Sequence, residues 1–240
     1  MIKNNFILTF DVDWAPDFII EEIASLLIKK KIKATWFVTH SSPAIDKLRE
    51  RNNIFELGIH PNFLPNSSQG NSPEEVLKYT MSIVPEAVSS RAHAVVQSGP
   101  LLNMMVEKTN IRIDSTIFLP EMPNIRPVVH LTLTNNLIRI PFFWADDYEM
   151  MKQNPKWDIS QYQNISGLKV MMFHPIHLFL NSNNVEKYNQ FKKEVKDARN
   201  ASPEQLNRFI HHGNGTKTFF NSIVEWLSRE EKSYKIKELL

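Results

Sequence analysis

Phe6-Ile7-Leu8-Thr9-Phe10-Asp11-Val12-Asp13-Trp14 is the stretch from which the fold is read. Residues 6–10 suit a buried strand, and they end abruptly in two carboxylates spaced i, i+2. Side chains alternate faces along a strand, so Asp11 and Asp13 point the same way if the strand continues. If it stops at Phe10, both sit on the loop at its C-terminal mouth. Either way two negative charges crowd one spot, which is costly unless a cation or a shared proton relieves them. The local alternative is that Asp11 opens a turn and Asp13 caps the helix that follows.

Outward from this stretch, strand and helix patterns alternate. Residues 17–30 form an amphipathic helix, with Ile19, Ile23, Leu26 and Leu27 on one face and Lys29-Lys30-Lys31 at its C-terminal end. Ala34-Thr35-Trp36-Phe37-Val38 reads as a strand covered on both faces. A helix is predicted over 42–51, a strand over 55–60, and a helix over 72–83 that opens on Ser72-Pro73. Residues 92–97 read as a strand and 100–108 as a helix; Ile113 marks a short strand. Residues 120–136, with three prolines, read as irregular. Strands follow over 137–143 and 168–173. The pattern then turns helical: a polar surface arm over 184–199 with Tyr188 and Phe191 as its apolar contacts, a weak helix over 202–210, and an amphipathic helix over 216–240. This alternation predicts parallel strands joined by helical crossovers.

The bulk properties narrow the chemistry. The 240 residues, 42% hydrophobic and 22% charged, suit one larger α/β domain. A net charge of +2 gives no footprint for nucleic acid. With no cysteine and eight histidines, a metal would be held by His, Asp, Glu or Asn. Neither a Gly-x-Gly-x-x-Gly nor a Walker-type loop is present. No apolar run reaches the ~20 residues of a membrane span. The N-terminus enters a strand without a basic-then-apolar leader, so the expected location is the cytoplasm.

Polar residues able to bind metal recur just beyond the predicted strand ends: Asp11 and Asp13, His60 and Asn62, Asp146 and Asp147, His174 and His177. Arg91 and His93 join them, although they fall at the start of the strand predicted over 92–97. In a parallel barrel or sheet, the strand C-termini form one face, where sites are built.

Together these motifs resemble the polysaccharide deacetylases of the NodB-homology type, carbohydrate esterase family 4. Thr9-Phe10-Asp11-Val12-Asp13 is similar to the family's Thr-Phe-Asp-Asp, with the acids separated by one residue. Lys33-Ala34-Thr35-Trp36-Phe37-Val38 resembles its second strand. Glu56-Leu57-Gly58-Ile59-His60 matches the approach to its second motif, Arg91-Ala92-His93 stands where Arg-x-Pro is expected, and residues 168–174 resemble its last motif. The family places a second His four residues after the first, but Leu64 stands there; His93, in place of the proline, takes over as ligand in this reading. The surroundings of His60 and His174 look like a divergent, WbmS-like branch.

The resemblance implies a distorted (β/α) barrel of about seven strands, forming a single domain over 1–240, with the motifs in 5–180 and a C-terminal helical extension over 184–240. It implies a divalent metal, Zn2+ first and Co2+, Ni2+ or Mn2+ as alternatives, held by Asp13, His60 and His93. Asp11 would be the general base, Arg91 its counter-charge and His174 the general acid; the assignment of base and ligand between Asp11 and Asp13 follows family order. Asp146 or Asp147 would orient His174 or bind sugar hydroxyls. Asn62, Trp144, Asp147 and His177 are expected on the substrate, and one of Trp14, Trp36 and Trp144 on a sugar ring. The implied activity is removal of an N-acetyl group from a nucleotide- or lipid-linked sugar during surface-polysaccharide (O-antigen or capsule) synthesis. Another amide hydrolase, such as a sugar deformylase, and a non-catalytic glycan-binding descendant are the alternatives.

Overall fold

The structure, a computed structural model, describes residues 5–239. It begins with β1 (Phe6–Asp11), α1 (Asp17–Lys30), β2 (Ala34–Val38), α2 (Pro43–Arg49), β3 (Phe55–Ile59) and α3 (Pro73–Ile83). The helix starts have local causes. Ser42 and Ser72 accept hydrogen bonds from the N–H groups of Ile45 and Glu75, and a proline occupies the first turn of each helix. Then come β4 (Ser89–Ser90), α4 (Gly99–Lys108), β5 (Ile113–Asp114), β6 (Val128–Leu131), β7 (Asn136–Arg139), β8 (Trp144–Ala145), α5 (Asp146–Met151) and α6 (Ser160–Gln163). β9 (Lys169–Phe173), α7 (Pro175–Leu180), α8 (Val185–Glu194), α9 (Pro203–Asn207) and α10 (Thr216–Glu230) complete the chain up to a 3-10 turn at Ile236–Glu238.

The strands lie in the order β6-β7-β5-β4-β3-β2-β1-β9-β8, and every neighbouring pair is parallel except β6–β7. The curled sheet with helices outside is the expected distorted (β/α) barrel class. Among the described residues it has nine strands rather than about seven, because short strands such as β6 escape a reading by apolar runs. Residues 120–136, expected to be irregular, contain β6, whose Val128, Val129 and Leu131 are exposed. The strand expected over 137–143 ends early, as β7 at Arg139, two residues before Pro141, which has no N–H for a ladder, and β8 begins only beyond it, at Trp144. Residues 92–97 are not a strand: β4 ends at Ser90, and His93–Val95 form a 3-10 turn with Ala94 and Val95 at positive φ. Arg91 and His93 therefore follow a strand's C-terminal end, like the other site residues. The last helix stops at Glu230, where Glu231 adopts the left-handed conformation.

Strand periodicity sorts the side chains. Phe6, Leu8, Phe10, Trp36, Leu57, Met171 and Phe173 pack outward against the helices in one cluster. Ile7, Phe37, Ile113, Val170 and Met172 pack inside the curl in another. Thr9 and Asp11 share the parity of Ile7, and His174 that of Met172, so the inner column runs from apolar floor to polar mouth. Gly58 shares the parity of His60 on β3. A Cβ there would lie 2.7 Å from Ser89 Oγ and 2.8 Å from Phe37, so the close approach of β3 to its neighbours requires glycine.

Candidate active site

At the mouth of the curl, Asp11 ends β1 and Asp13 follows with φ of 44°. The bend separates the two carboxylates. Asp11 Oδ1 accepts from Arg91 Nη1 at 2.8 Å. Arg91 is 1% exposed, stacked between Phe37 and Phe142 at 4.5 and 4.9 Å. Its other N–H groups donate to Thr9 Oγ1, Ser115 O and Ser115 Oγ. Burial lowers the Arg91 pKa, but Asp11 opposes this, and the guanidinium remains a fixed cation.

Asp13 faces imidazoles. Its Oδ1 lies 3.3 Å from His60 Nε2 and 3.3 Å from His93 Nδ1, and its Oδ2 lies 3.5 Å from His174 Nε2. His60 Nε2 and His93 Nδ1 are themselves 3.3 Å apart. One ligand atom from each of Asp13, His60 and His93 falls within 4.8 Å of the others. Burial pushes the Asp13 carboxyl up, but His60 and His93, with His174 behind them, outweigh it and hold it well below the usual carboxylate range. The Asp13 hydrogen bond raises the His93 pKa. A carboxylate and two imidazole nitrogens converging on one point fit the donor set of a divalent transition metal.

Beside this cluster, His174 stands at the end of β9. Its Nδ1 lies 2.6 Å from Asp146 Oδ1, and its backbone N–H donates to Asp146 Oδ2 at 2.7 Å. Burial alone would lower the His174 pKa, but Asp146 reverses the sign and holds it well above the usual value. Burial raises Asp146 to about 6, so at neutral pH the proton of this pair rests on the imidazole. Of the two acids weighed as its orienter, Asp146 occupies that position. Asp147 caps Tyr148 N–H at 2.7 Å and lines the main cavity.

His177 is buried, lies 3.1 Å from Ser182 Oγ through Nδ1, and packs on Tyr188. Burial and the neighbouring His174 push its pKa well below the usual value. Trp144 does not reach the cavity. On β8 its parity is outward, into an aromatic cluster with Phe173 and Phe219, and its indole donates to Glu149. Trp36 likewise stacks on Phe10 in the outer core, which leaves Trp14 as the tryptophan of the three that lines a cavity. Asn62 lies on a side cavity, where its Oδ1 accepts from Leu64 N–H.

The main cavity, about 480 Å³, joins Asp11, Asp13, His60, Arg91, His93 and His174. Two features of the site region had no sequence signal strong enough to place them there. The polar helix α8, read as a surface arm, supplies a wall through Val185, Tyr188, Asn189 and Lys192. Gln69 ties the strand-end loops together: its Nε2 donates to Thr39 O and His60 O, and its Oε1 accepts from Asn62 N–H. Thr39 Oγ1 in turn donates to Asp13 O at 2.7 Å, pinning the bend.

A curled parallel sheet with acids and imidazoles gathered at its strand C-termini places the chain among the NodB-type deacetylase folds. A family model described as WbmS-like polysaccharide deacetylase matches residues 8–192. A Bordetella bronchiseptica structure, assigned as a polysaccharide deacetylase involved in O-antigen biosynthesis, is 35% identical with a TM-score of 0.79, covering 92% of this chain and 90% of that one. The chain belongs to the WbmS-like polysaccharide deacetylase family. Fold likeness extends to the Bc1960 peptidoglycan N-acetylglucosamine deacetylase (12% identity, TM-score 0.53, 99% of this chain and 88% of that one). It extends also to a 4-alpha-glucanotransferase from Thermococcus litoralis (10% identity, TM-score 0.55, 98% of this chain and 38% of that one). No curated protein matches the chain.

Proposed function

We propose that this protein is a metal-dependent N-deacetylase acting on an N-acetylated sugar destined for surface polysaccharide. The observation that carries the reading is the convergence of Asp13, His60 and His93 on one point, with Asp11–Arg91 on one side and His174–Asp146 on the other. Those three residues would hold a divalent cation, Zn2+ by donor chemistry, which supplies Lewis-acid polarisation of the acyl carbonyl and a lowered pKa for water.

The chain's own residues perform the proton transfers. Asp11, fixed by Arg91, accepts a proton from the attacking water. His174 carries its proton on Nε2, because Asp146 occupies the Nδ1 side, and delivers it to the departing amine. The product amine and acetate then separate. His177, kept neutral, packs against the acid and presents no competing charge.

Two contacts from the C-terminal region support reading 1–240 as one catalytic domain: α8 walls the cavity, and the C-terminal turn closes the floor through Ile236. Among the described residues no helix is long and apolar enough to cross a membrane. The proposed setting is the cytoplasm, with a nucleotide- or lipid-linked sugar as substrate. The test is acetate release from N-acetyl sugars, with and without chelator, by the protein and by Asp11→Asn. Chelator-sensitive release that Asp11→Asn abolishes is expected; metal-independent release, or an unimpaired variant, would overturn the mechanism.

A further inference from the structure

A second group of ligand atoms stands beside the first. Among the described residues, one atom each from Asp146, His174 and His177 lies within 4.8 Å of the others, as in the Asp13–His60–His93 group. The geometry points to a second, weaker cation site there, for a transition-metal ion such as Zn2+, whose filling silences the enzyme. The site rests on these side chains alone; the silencing rests on the deacetylase reading above.

Three elements bring the ligands together. Asp146 opens α5 directly after β8, His174 follows β9, and His177 lies three residues on, in α7. The two imidazoles meet edge to face, with ring centroids 5.4 Å apart. Both line the main cavity, which gives an ion its way in. His177 has no part in the proton transfers, yet its ring is held from behind. Its Nδ1 lies 3.1 Å from Ser182 Oγ. Ser182 O in turn accepts from Thr216 N–H at 2.9 Å and Thr216 Oγ1 at 2.7 Å, at the start of α10. Nε2 is the nitrogen that remains for a ligand. A partner on one ring nitrogen that orients the other is the usual support of a metal-binding histidine. One carboxylate and two imidazoles select Zn2+, Ni2+ or Cu2+ over Mg2+ or Ca2+.

The consequence follows from what the ion displaces. His174 delivers a proton as the imidazolium, with both ring nitrogens protonated. A cation on either nitrogen expels one proton to solvent, and the ring left behind has no imidazolium proton to give. Binding also breaks into existing bonds: His174 Nδ1 lies 2.6 Å from Asp146 Oδ1, and Asp146 accepts from the N–H groups of Asp147 and His174. Asp13, a ligand of the first cation in the proposed function, is 3.5 Å from His174 Nε2, so the two cations would repel. Proton displacement and repulsion make this the weaker of the two sites.

Equilibrium dialysis against rising free Zn2+, with zinc counted per chain by elemental analysis, tests the site without turnover. Two equivalents should bind, the second at about 10- to 100-fold higher free Zn2+ than the first. His177→Gln and, separately, His174→Ala should lose the second equivalent and keep the first. Acetate release from N-acetyl sugars should rise with the first equivalent and fall about 10²-fold or more with the second. Mg2+ at the same concentrations should not lower it. A plateau at one equivalent in the unsubstituted protein, a second equivalent that survives both substitutions, or activity sustained while two are bound would overturn the inference. Two equivalents bound, with no acetate released at any zinc level, would leave the cation site standing and overturn the deacetylase reading.

Discussion

The curl buries acids at both ends, and the two ends treat them differently. At the floor, the Glu56 carboxylate accepts from Ser89 Oγ at 2.7 Å, Thr35 Oγ1 at 3.0 Å and Lys237 N–H at 2.9 Å. The C-terminal turn brings the last donor and also gives the Ile236 N–H to Thr35. Every partner comes from the chain, and the network is closed. At the mouth, Asp13 has only imidazoles around it, and two of their nitrogens face each other across 3.3 Å. Both nitrogens lie 3.3 Å from Asp13 Oδ1, so they either donate to that oxygen or turn their lone pairs with it toward one cation. The floor is satisfied by hydroxyls and a backbone N–H; the mouth, in the function proposed above, holds a cation. Burial of an acid thus marks structure or function according to whether its partners are complete.

The sharpest way to break this contrast is to remove a ligand from the mouth. His60→Ala is expected to weaken metal binding by at least about 10²-fold and to abolish acetate release. Equilibrium dialysis with Co2+ or Zn2+ checks the first, and stoichiometric metal in the variant would refute the ligand assignment. His174→Ala should leave metal content intact and lower kcat by about 10²–10⁴-fold. Asp146→Asn should give a smaller loss in kcat and shift the alkaline limb of the pH–rate profile to lower pH, because the raised His174 pKa depends on the Asp146 charge. A variant with unchanged kcat and unchanged pH profile would reduce Asp146 to a structural cap.

At the floor the same operation should read out in stability alone. Glu56→Ala strands the hydroxyls of Thr35 and Ser89 and the Lys237 N–H in a buried space. We expect a loss of about 2–4 kcal/mol by denaturant titration, with metal stoichiometry unchanged in the folded protein. Loss of metal without loss of stability would show that the two ends are coupled in a way the contrast denies.

What the sequence made legible follows the same division. The outer core and the parallel crossovers were readable because strand and helix periods differ, and the early boundaries agree within a residue or two. Asp11, Asp13, His60 and His174 were readable because each follows an apolar strand. Arg91 and His93 were found by motif but placed on the wrong side of their strand: β4 is only two residues long, too short for a period to register. Trp144 was misread because its neighbour Asp146 suggested a cavity, whereas parity on β8 turns the indole to the core. Gln69 carried no signal, and α8 was readable as a helix but not as a wall of the cavity. A loop glutamine and a polar helix look like solvent-facing surface until the fold shows what they touch.

Lys169 provides the finest test, because it is a buried charge that neither end of the curl serves. It opens β9 with the outward parity, is 0% exposed, and its Nζ has no hydrogen-bond partner among the described residues; the ring of Phe6 lies 5.4 Å away. Burial lowers its pKa to about 8 from 10.5. Between those values the unfolded chain binds more protons than the folded one, so stability rises as pH rises from about 8 toward 10.5. Below pH 8 both states are protonated, and the folded state carries the full cost of the buried ammonium. Lys169→Met should therefore stabilise the protein at pH 7 by about 1–3 kcal/mol, and the advantage should shrink as pH climbs through that window. Acetate release should be unaffected, since Lys169 faces the helices rather than the cavity. Urea titrations of both proteins at pH 7 and pH 10 decide it: a destabilised methionine variant, or a gain independent of pH, would mean that the ammonium finds water or a partner at the edge of the sheet.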